Sequence, residues 1–193
     1  MKPPPHLFLI HGTYGNPQEN WFPWLKAQAE KMGISVSAPR FPTPEGQNLS
    51  HWQEVFDRES QNIPPENLIL ICHSIGAAFA LRQAENSPAA FRALILAAPF
   101  VDPLGLPDFD DLNVSFIAAP FNWAAIRQNA DVIACFAGDN DPYVPQSFSK
   151  KVADHAGASL ALIPQGGHLN KAAGFTQFSD LWDFLSGLWK ESL

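Results

Sequence analysis

Leu68 to Gly76 reads LILICHSIG, and this is the most informative stretch of the chain. Its first residues are β-prone, its centre is Cys-His-Ser-Ile-Gly, and the run from Ala77 to Leu81 continues as a helix-forming segment. A serine on a sharp turn between a strand and a helix is the nucleophile elbow, Gly-x-Ser-x-Gly, whose small flanking residues let strand and helix pass closely. Gly76 meets this requirement, whereas Cys72 stands where the pattern has glycine. Ser74 is therefore a candidate nucleophile; the alternative is an ordinary polar turn between a buried strand and a helix.

A serine nucleophile needs a base and an orienting acid, and candidates for both follow Ser74 along the chain. A second buried-strand pattern, Val132 to Gly138, runs directly into Asp139 and Asp141. A further β-type run is followed by a glycine-rich loop that ends in His168. Because the carboxyl ends of parallel strands meet at one edge of a sheet, we expect these side chains to lie together. The order predicts that His168 accepts the serine proton and that a carboxylate fixes the histidine tautomer.

The first β-type run, Leu7 to Ile10, ends in His-Gly-Thr-Tyr-Gly, where an elbow enzyme builds half of its oxyanion hole. A tetrahedral intermediate carries its negative charge on one oxygen, so two preorganised N–H donors are required near it. We assign these donors to the backbone of Thr13 and of Ile75. Ile75 also opens the helix after the elbow, where the helix dipole favours an anion.

Strand-type and helix-type segments alternate along the whole chain, which is typical of a parallel sheet covered by helices on both faces. We expect one α/β domain over residues 1–193, built on a doubly wound, mostly parallel six-stranded sheet of order 2-1-3-4-5-6. The predicted strands are Leu7–Ile10, Ile34–Ala38, Leu68–Cys72, Leu94–Ala98, Val132–Ala137 and Leu160–Ile163. The predicted helices are Trp24–Met32, Leu49–Gln61, Ile75–Asn86, Trp123–Asn129, Ser147–His155 and Phe178–Leu188.

Together these motifs resemble the α/β-hydrolase superfamily, and within it the small lidless serine hydrolases of the YdeN and retinoblastoma-binding-protein type. The resemblance covers nearly the whole chain and is carried by His11-Gly12, Trp21 to Leu25, Cys72 to Gly76, Pro120 to Trp123 with Ile126, Asp139 to Pro145 and Gly167-His168. It implies a Ser74, Asp141 and His168 triad. It also implies a minimal α/β-hydrolase fold and a serine hydrolase, of carboxylesterase or amidase type, that cleaves small esters or amides through an acyl-enzyme.

The resemblance places the acid at Asp141, and Pro142 supports this choice because it favours an extended backbone there. For Asp139, which follows a glycine, an Asx-type turn is the more ordinary role. We expect substrate contacts around the motifs, although packing at the elbow is the more ordinary role of His73. The substrate-binding candidates are His11, Gly12, Tyr14, His73, Phe121 and Trp123.

The stretch from Pro99 to Asn122 exceeds an ordinary connection and leaves the carboxyl edge of the sheet. Its phenylalanines and aspartates predict either an apolar pocket wall with an acidic rim or a loop whose aromatic rings only fix it to the core. The residues concerned are Phe100, Phe109, Phe116 and Phe121 with Asp102, Asp108, Asp110 and Asp111. Trp21, Phe22 and Trp24 either line the opposite wall or belong to the core.

The net charge of −7 and the lack of a basic cluster argue against nucleic acid and an anionic membrane as partners. The apolar run near the amino terminus is too short for a signal peptide or a spanning helix, so the expected location is the cytoplasm. The two cysteines are expected to be buried thiols, and neither a metal nor a cofactor is expected. The expected partner is a small ester or amide substrate. A second hypothesis is a protein-interaction module on a hydrolase scaffold with little or no turnover.

Overall fold

A parallel sheet of six strands forms the centre of the computed structural model, which describes residues 4 to 190. The strand order is β2-β1-β3-β4-β5-β6, with every neighbouring pair parallel, so the predicted order is confirmed. The strands are β1 (His6–Ile10), β2 (Ser35–Ser37), β3 (Leu68–His73), β4 (Ala93–Ala97), β5 (Ile133–Gly138) and β6 (Ser159–Ile163). The helices are α1 (Phe22–Lys31), α2 (Leu49–Ser60), α3 (Ile75–Asn86), α4 (Pro107–Ile117), α5 (Trp123–Gln128), α6 (Gln146–Ala156) and α7 (Ser179–Lys190).

Helices cover both faces of the sheet, so the central strands are apolar along their whole length. Every residue of β3 and β4 is buried, as expected for a parallel sheet between two helical layers. Successive residues of β3 point to opposite faces: Leu70 packs in the core beneath α2 and α3, and Ile71 in the core beneath α1 and α7. This arrangement leaves the carboxyl edge of the sheet free for loops.

Helix α4 is the main element that the sequence analysis did not predict, since it lies within the stretch interpreted as a loop. Pro107 occupies the first turn, where its missing N–H costs nothing. The Asp110 carboxylate accepts the backbone N–H groups of Leu104 (2.7 Å), Gly105 (2.8 Å) and Leu106 (3.1 Å), which fixes the segment before the helix. Proline and aspartates in a first turn are helix-start signals, so the start of α4 has a local signal in the sequence.

A buried arginine holds the carboxyl end of α4. Arg82 on α3 donates to the carbonyl of Phe116 (3.0 Å) and to those of Ala119 and Pro120, and it pairs with Glu85 (2.7 Å). Its guanidinium therefore satisfies carbonyl groups that have no partner within the helix.

The observed boundaries differ from the predicted ones by one or two residues at most ends, and α1 begins at Phe22 rather than Trp24. Among residues 4 to 190, no helix has the length and apolar character that crossing a membrane requires.

Candidate active site

Ser74 lies alone between β3 and α3, at the turn that the elbow motif predicts. Its backbone has φ 57° and ψ −127°, a conformation that non-glycine residues rarely adopt and that costs on the order of 1–3 kcal/mol. The turn is fixed on both sides: the Ser74 N–H donates to the Ala97 carbonyl (2.9 Å), and the Ser74 carbonyl accepts from the Ala77 N–H (2.9 Å). This is the strained backbone of a nucleophile elbow, which an ordinary polar turn does not need.

Two glycines let the neighbouring segments approach this turn. A Cβ at Gly12 would lie 2.8 Å from the Ser74 Cβ, so only glycine fits there. A Cβ at Gly76 would lie 2.8 Å from the carbonyl oxygens of Ile10 and His11. The loop after β1 and the first turn of α3 are therefore both packed against the serine.

His168 and Asp141 form a direct pair at the same edge of the sheet. The His168 Nδ1 lies 2.7 Å from Asp141 Oδ2, and the Asp141 side chain is 3% exposed. The second carboxylate oxygen accepts the backbone N–H groups of Tyr143 (2.9 Å) and Val144 (3.0 Å). The carboxylate is thereby fixed in one orientation, with Nδ1 as the donor to it and Nε2 as the nitrogen able to accept a proton.

The neighbouring Asp139 has a different task. Its Oδ1 accepts the backbone N–H of Gln165 (2.8 Å), and Asn140 Oδ1 accepts that of Gly167 (2.7 Å). The predicted Asx turn with the following N–H groups is therefore replaced by bonds to the loop that carries His168. Asp139 and Asn140 hold this loop against the end of β5, and of these three residues Asp141 is the one that bonds the imidazole.

His73, next to the serine, supports the histidine loop from below. Its Nε2 donates to the backbone carbonyl of His168 (2.7 Å), and the two rings meet edge to face with centroids 4.7 Å apart. Burial, with a smaller contribution from the neighbouring His168, lowers the pKa of His73 to about 3, so its ring is neutral at physiological pH. The ring also lines the cleft, but its hydrogen bond identifies packing and positioning as its first role.

The N–H groups assigned to an oxyanion hole flank the serine on two sides. Thr13 follows Gly12 in the loop after β1, and Ile75 is the first residue of α3. Within the described part of the chain, neither backbone N–H has a hydrogen-bond acceptor. Thr13 lines the cleft, whereas Ile75 is buried directly after the serine and is not one of the lining residues.

Ser74, His168, His73 and Thr13 line one open cleft of about 260 Å³ at the carboxyl edge of the sheet. Ser74 and His168 both line it, although no hydrogen bond joins the serine hydroxyl to the imidazole among the described residues. The lining residues are Gly12, Thr13, Tyr14, Gly15, Glu19, Asn20, His73, Ser74, Phe109, Tyr143, His168 and Asn170.

One side of the cleft is a continuous row of aromatic rings. Tyr14 and Phe109 meet edge to face (5.6 Å), Phe109 contacts Tyr143 (5.7 Å), and Tyr143 contacts His168 (5.2 Å). The Tyr14 and Tyr143 side chains are 50% and 40% exposed, although large aromatic rings are usually covered. This aromatic wall of Tyr14, Phe109 and Tyr143 gives the cleft an apolar surface beside the serine.

Three of the predicted substrate contacts lie elsewhere and are corrected here. His11 is buried: its Nε2 accepts the N–H of Phe41 (3.0 Å) and its Nδ1 bonds the Gly12 carbonyl (2.9 Å), so it supports the loop after β1. Phe121 lies under the Arg82 guanidinium at 3.5 Å, and Trp123 stacks on His155. Neither aromatic residue lines the cleft.

The stretch from Pro99 to Asn122 contributes only Phe109 to the cleft. Phe100 and Phe116 are core residues, which fits the alternative that aromatic rings of this stretch fix it to the core. None of the four predicted rim aspartates lines the cleft; Asp102, for example, pairs with Lys151 (2.8 Å). On the other side, Trp21 is fully buried and Trp24 packs on Trp182, which fits the alternative that they belong to the core.

Both cysteines are buried free thiols on the sheet. Burial raises the pKa of Cys135 to about 12 and also raises the pKa of Cys72, so neither forms a thiolate near neutral pH. Cys72 packs in the core beneath α3, where its bulk leaves the elbow geometry intact. Among residues 4 to 190, no three His, Cys, Asp or Glu side chains cluster as a metal site requires.

Comparison with known proteins agrees with this geometry. The model of the serine hydrolase family matches residues 7–187. The YdeN hydrolase of Bacillus subtilis (strain 168) is 29% identical over 182 residues, covering 93% of this chain and 94% of the relative. Serine hydrolase RBBP9 of Rattus norvegicus is 28% identical over 184 residues, covering 94% of each. The crystal structure of the B. subtilis ydeN gene product superimposes with a TM-score of 0.89, covering 96% of this chain and 99% of that one.

Proposed function

Because the chain belongs to the serine hydrolase family, we propose that it cleaves small ester or amide substrates through an acyl-enzyme on Ser74. One observation carries the proposal: a serine on a strained elbow shares a cleft with a histidine whose Nδ1 is fixed by a buried carboxylate at 2.7 Å. A structural turn requires neither the strain nor the buried acid. Together they supply the nucleophile, base and orienting acid of acyl transfer.

In the proposed reaction, the Ser74 oxygen attacks the substrate carbonyl carbon while its proton moves to Nε2 of His168. The Ser74 hydroxyl and His168 Nε2 come within hydrogen-bonding distance when substrate orders the two side chains. Asp141 stabilises the imidazolium through Nδ1, and the N–H groups of Thr13 and Ile75 stabilise the oxyanion. His168 then protonates the leaving group, which departs as an alcohol or amine. Water attacks the acyl-enzyme by the same route in reverse and releases a carboxylic acid.

The cleft favours substrates with a compact apolar acyl group. About 260 Å³ is near the lower limit of a small-molecule site, so one modest acyl group fills it. The aromatic wall offers ring faces and edges against which a planar or branched acyl group can pack.

A fluorophosphonate probe tests the proposal, because it labels only an activated serine. The wild-type protein is expected to be labelled, and Ser74→Ala is expected to be unlabelled with an unchanged circular dichroism spectrum. His168→Gln retains the nucleophile and removes the base, so its labelling rate should fall by several orders of magnitude. No labelling of the folded wild-type protein would refute the enzyme and favour an interaction module on a hydrolase scaffold.

A further inference from the structure

A largely buried polar network joins the loop that carries Thr13 to Gln47 and to Asn113 on α4. The Thr13 hydroxyl donates to Asn113 Oδ1 (2.7 Å) and accepts from Gln47 Nε2 (2.9 Å). The Gln47 amide also donates to Asn113 Oδ1 (2.9 Å). Asn113 is 1% exposed and Gln47 is 8% exposed, so the bond between their side chains is buried, whereas Thr13 lies at the edge of the cleft. Three residues distant in sequence are thus joined at one point.

The network continues to the next residue of the same loop. Gln47 Oε1 accepts from the Thr43 hydroxyl (2.6 Å), whose oxygen accepts the backbone N–H of Tyr14 (2.8 Å). Two consecutive residues of the loop are therefore fixed, Thr13 by its side chain and Tyr14 by its backbone. Since the Thr13 hydroxyl donates its one proton to Asn113, it cannot donate to substrate, and its two bonds hold the side chain in one orientation.

The same network docks α4 onto the cleft. Asn113 and Phe109 are four residues apart on this helix and so lie on one face. Anchoring Asn113 to Thr13 brings the Phe109 ring against Tyr14, at 5.6 Å between centroids. A second bond, from the N–H of Leu49 to the Ser115 hydroxyl (3.0 Å), ties α4 to α2.

The burial of the Gln47 and Asn113 side-chain amides favours a role in positioning the Thr13 N–H group. A backbone N–H that stabilises an oxyanion is effective only when it is fixed before the reaction, because its reorganisation would otherwise add to the barrier. A loop held by apolar contacts alone can rotate its peptide planes. Hydrogen bonds of fixed direction from buried amides restrict that rotation.

We propose that Asn113 and Gln47 are positioning residues that hold the Thr13 N–H toward the oxyanion and, through α4, hold the aromatic wall of the cleft. This inference rests on the proposed serine-hydrolase function. Asn113 and Gln47 touch no substrate atom; they act through the hydroxyl of Thr13. Their loss should slow the chemical step more than it weakens substrate binding.

Four variants and one control test the proposal. Gln47→Met, Asn113→Leu and Thr13→Val each remove one member of the network with little change of volume, and Thr13→Ser restores the hydroxyl. Val114→Ala alters the adjacent, 54% exposed residue of α4 and serves as the control. The measurements are kcat and KM on p-nitrophenyl acetate and inhibition by an alkyl trifluoromethyl ketone, which forms a tetrahedral oxyanion on the serine.

The three network variants are expected to lower kcat by about tenfold to hundredfold, since small misplacement of a catalytic group has effects of this size. KM should change little, the trifluoromethyl ketone should bind more weakly by the same factor as kcat falls, and Thr13→Ser should recover most of the loss. The Gln47→Met and Asn113→Leu effects should be less than additive, because both break one network.

A kcat within twofold of wild type in folded Thr13→Val would overturn the inference, as would a raised KM with unchanged kcat. Thr13→Val keeps the test decisive even if an amide variant fails to fold. If the wild-type protein itself neither turns over ester nor reacts with fluorophosphonate, the proposed function fails, and this inference falls with it. An active wild type with unaffected variants refutes the positioning role alone.

Discussion

Replacing Asp141 with asparagine should almost abolish turnover while leaving the fold intact. Asparagine keeps an oxygen for the backbone N–H groups of Tyr143 and Val144, so the loop after β5 stays in place. Its side-chain NH₂ group, however, replaces the carboxylate oxygen that accepts the hydrogen bond from His168 Nδ1 at 2.7 Å. The imidazole then carries its proton on Nε2, which is the wrong tautomer for accepting the Ser74 proton.

The size of the loss follows from the charge that is removed. A carboxylate and an imidazolium about 4 Å apart, at an effective dielectric constant of about 20, attract by roughly 4 kcal/mol. That is about three decades in rate. The tautomer penalty adds to this, and a triad aspartate changed to asparagine elsewhere costs about 10⁴ in kcat. We therefore expect kcat on an activated ester to fall by about 10³ to 10⁴.

Asp139→Asn is the matched comparison, because it changes the same group two residues away. Its Oδ1 can still accept the Gln165 N–H that it accepts now at 2.8 Å, so the His168 loop should shift little. We expect a loss of about tenfold or less. The assay is steady-state hydrolysis of p-nitrophenyl acetate, with a thermal melt of each variant. If Asp139→Asn were the more damaged of two folded variants, the assignment of the acid would be wrong.

Three further predictions concern packing, pH and specificity. Gly138→Ala should lower both the melting temperature and kcat, because its Cβ would lie 2.7 Å from the backbone N of Gly167 and push the loop that carries His168 away. Gly187→Ala is the control: its Cβ would have no neighbour within 4 Å, so alanine in this helix should raise the melting temperature. His73→Gln keeps a hydrogen-bond donor but cannot titrate. As pH falls from 6.5 toward 3, the unfolding free energy of the wild type should fall by about 1.4 kcal/mol per pH unit relative to that of the variant. The measurement is urea unfolding at each pH, and parallel curves of unfolding free energy against pH would contradict the prediction. Phe109→Ala should raise KM severalfold for benzoyl esters but not for acetyl esters, and equal effects on both would argue against the aromatic wall.

The sign of the His73 effect follows from its lowered pKa. The unfolded chain binds a proton on this histidine below its ordinary pKa of 6.5, and the folded chain does not until about pH 3. Protons therefore favour the unfolded state throughout this range, and the contribution of the neutral ring is complete above pH 6.5.

The sheet and the candidate site were predictable from sequence because their signals are local. The elbow places Ser74 by a pattern that is complete within nine residues, from Leu68 to Gly76. Asp141 and His168 lie in the loops after β5 and β6, which are parallel neighbours, so the strand order places both at one edge of the sheet. Such short-range rules do not depend on how distant segments pack.

Apart from α4, whose start has a local signal, the features that were missed depend on distant contacts. Asn113 reaches Thr13 across one hundred residues of chain, and Arg82 caps α4 from another helix. Phe121 and Trp123 looked like pocket residues because they are aromatic and follow the fourth strand. Their actual partners, Arg82 and His155, are set by the packing of α3 and α6, which no local pattern records.

The most direct test of the central claim is to trap the covalent intermediate on Ser74. The protein is mixed with excess p-nitrophenyl acetate, quenched in acid within the first turnover, digested and analysed by mass spectrometry. We predict a burst of p-nitrophenol close to one equivalent per protein, with the acetyl group on the peptide that contains Ser74. Release of p-nitrophenol at the same rate by Ser74→Ala, or a wild-type burst with no acetyl group on that peptide, would contradict the account.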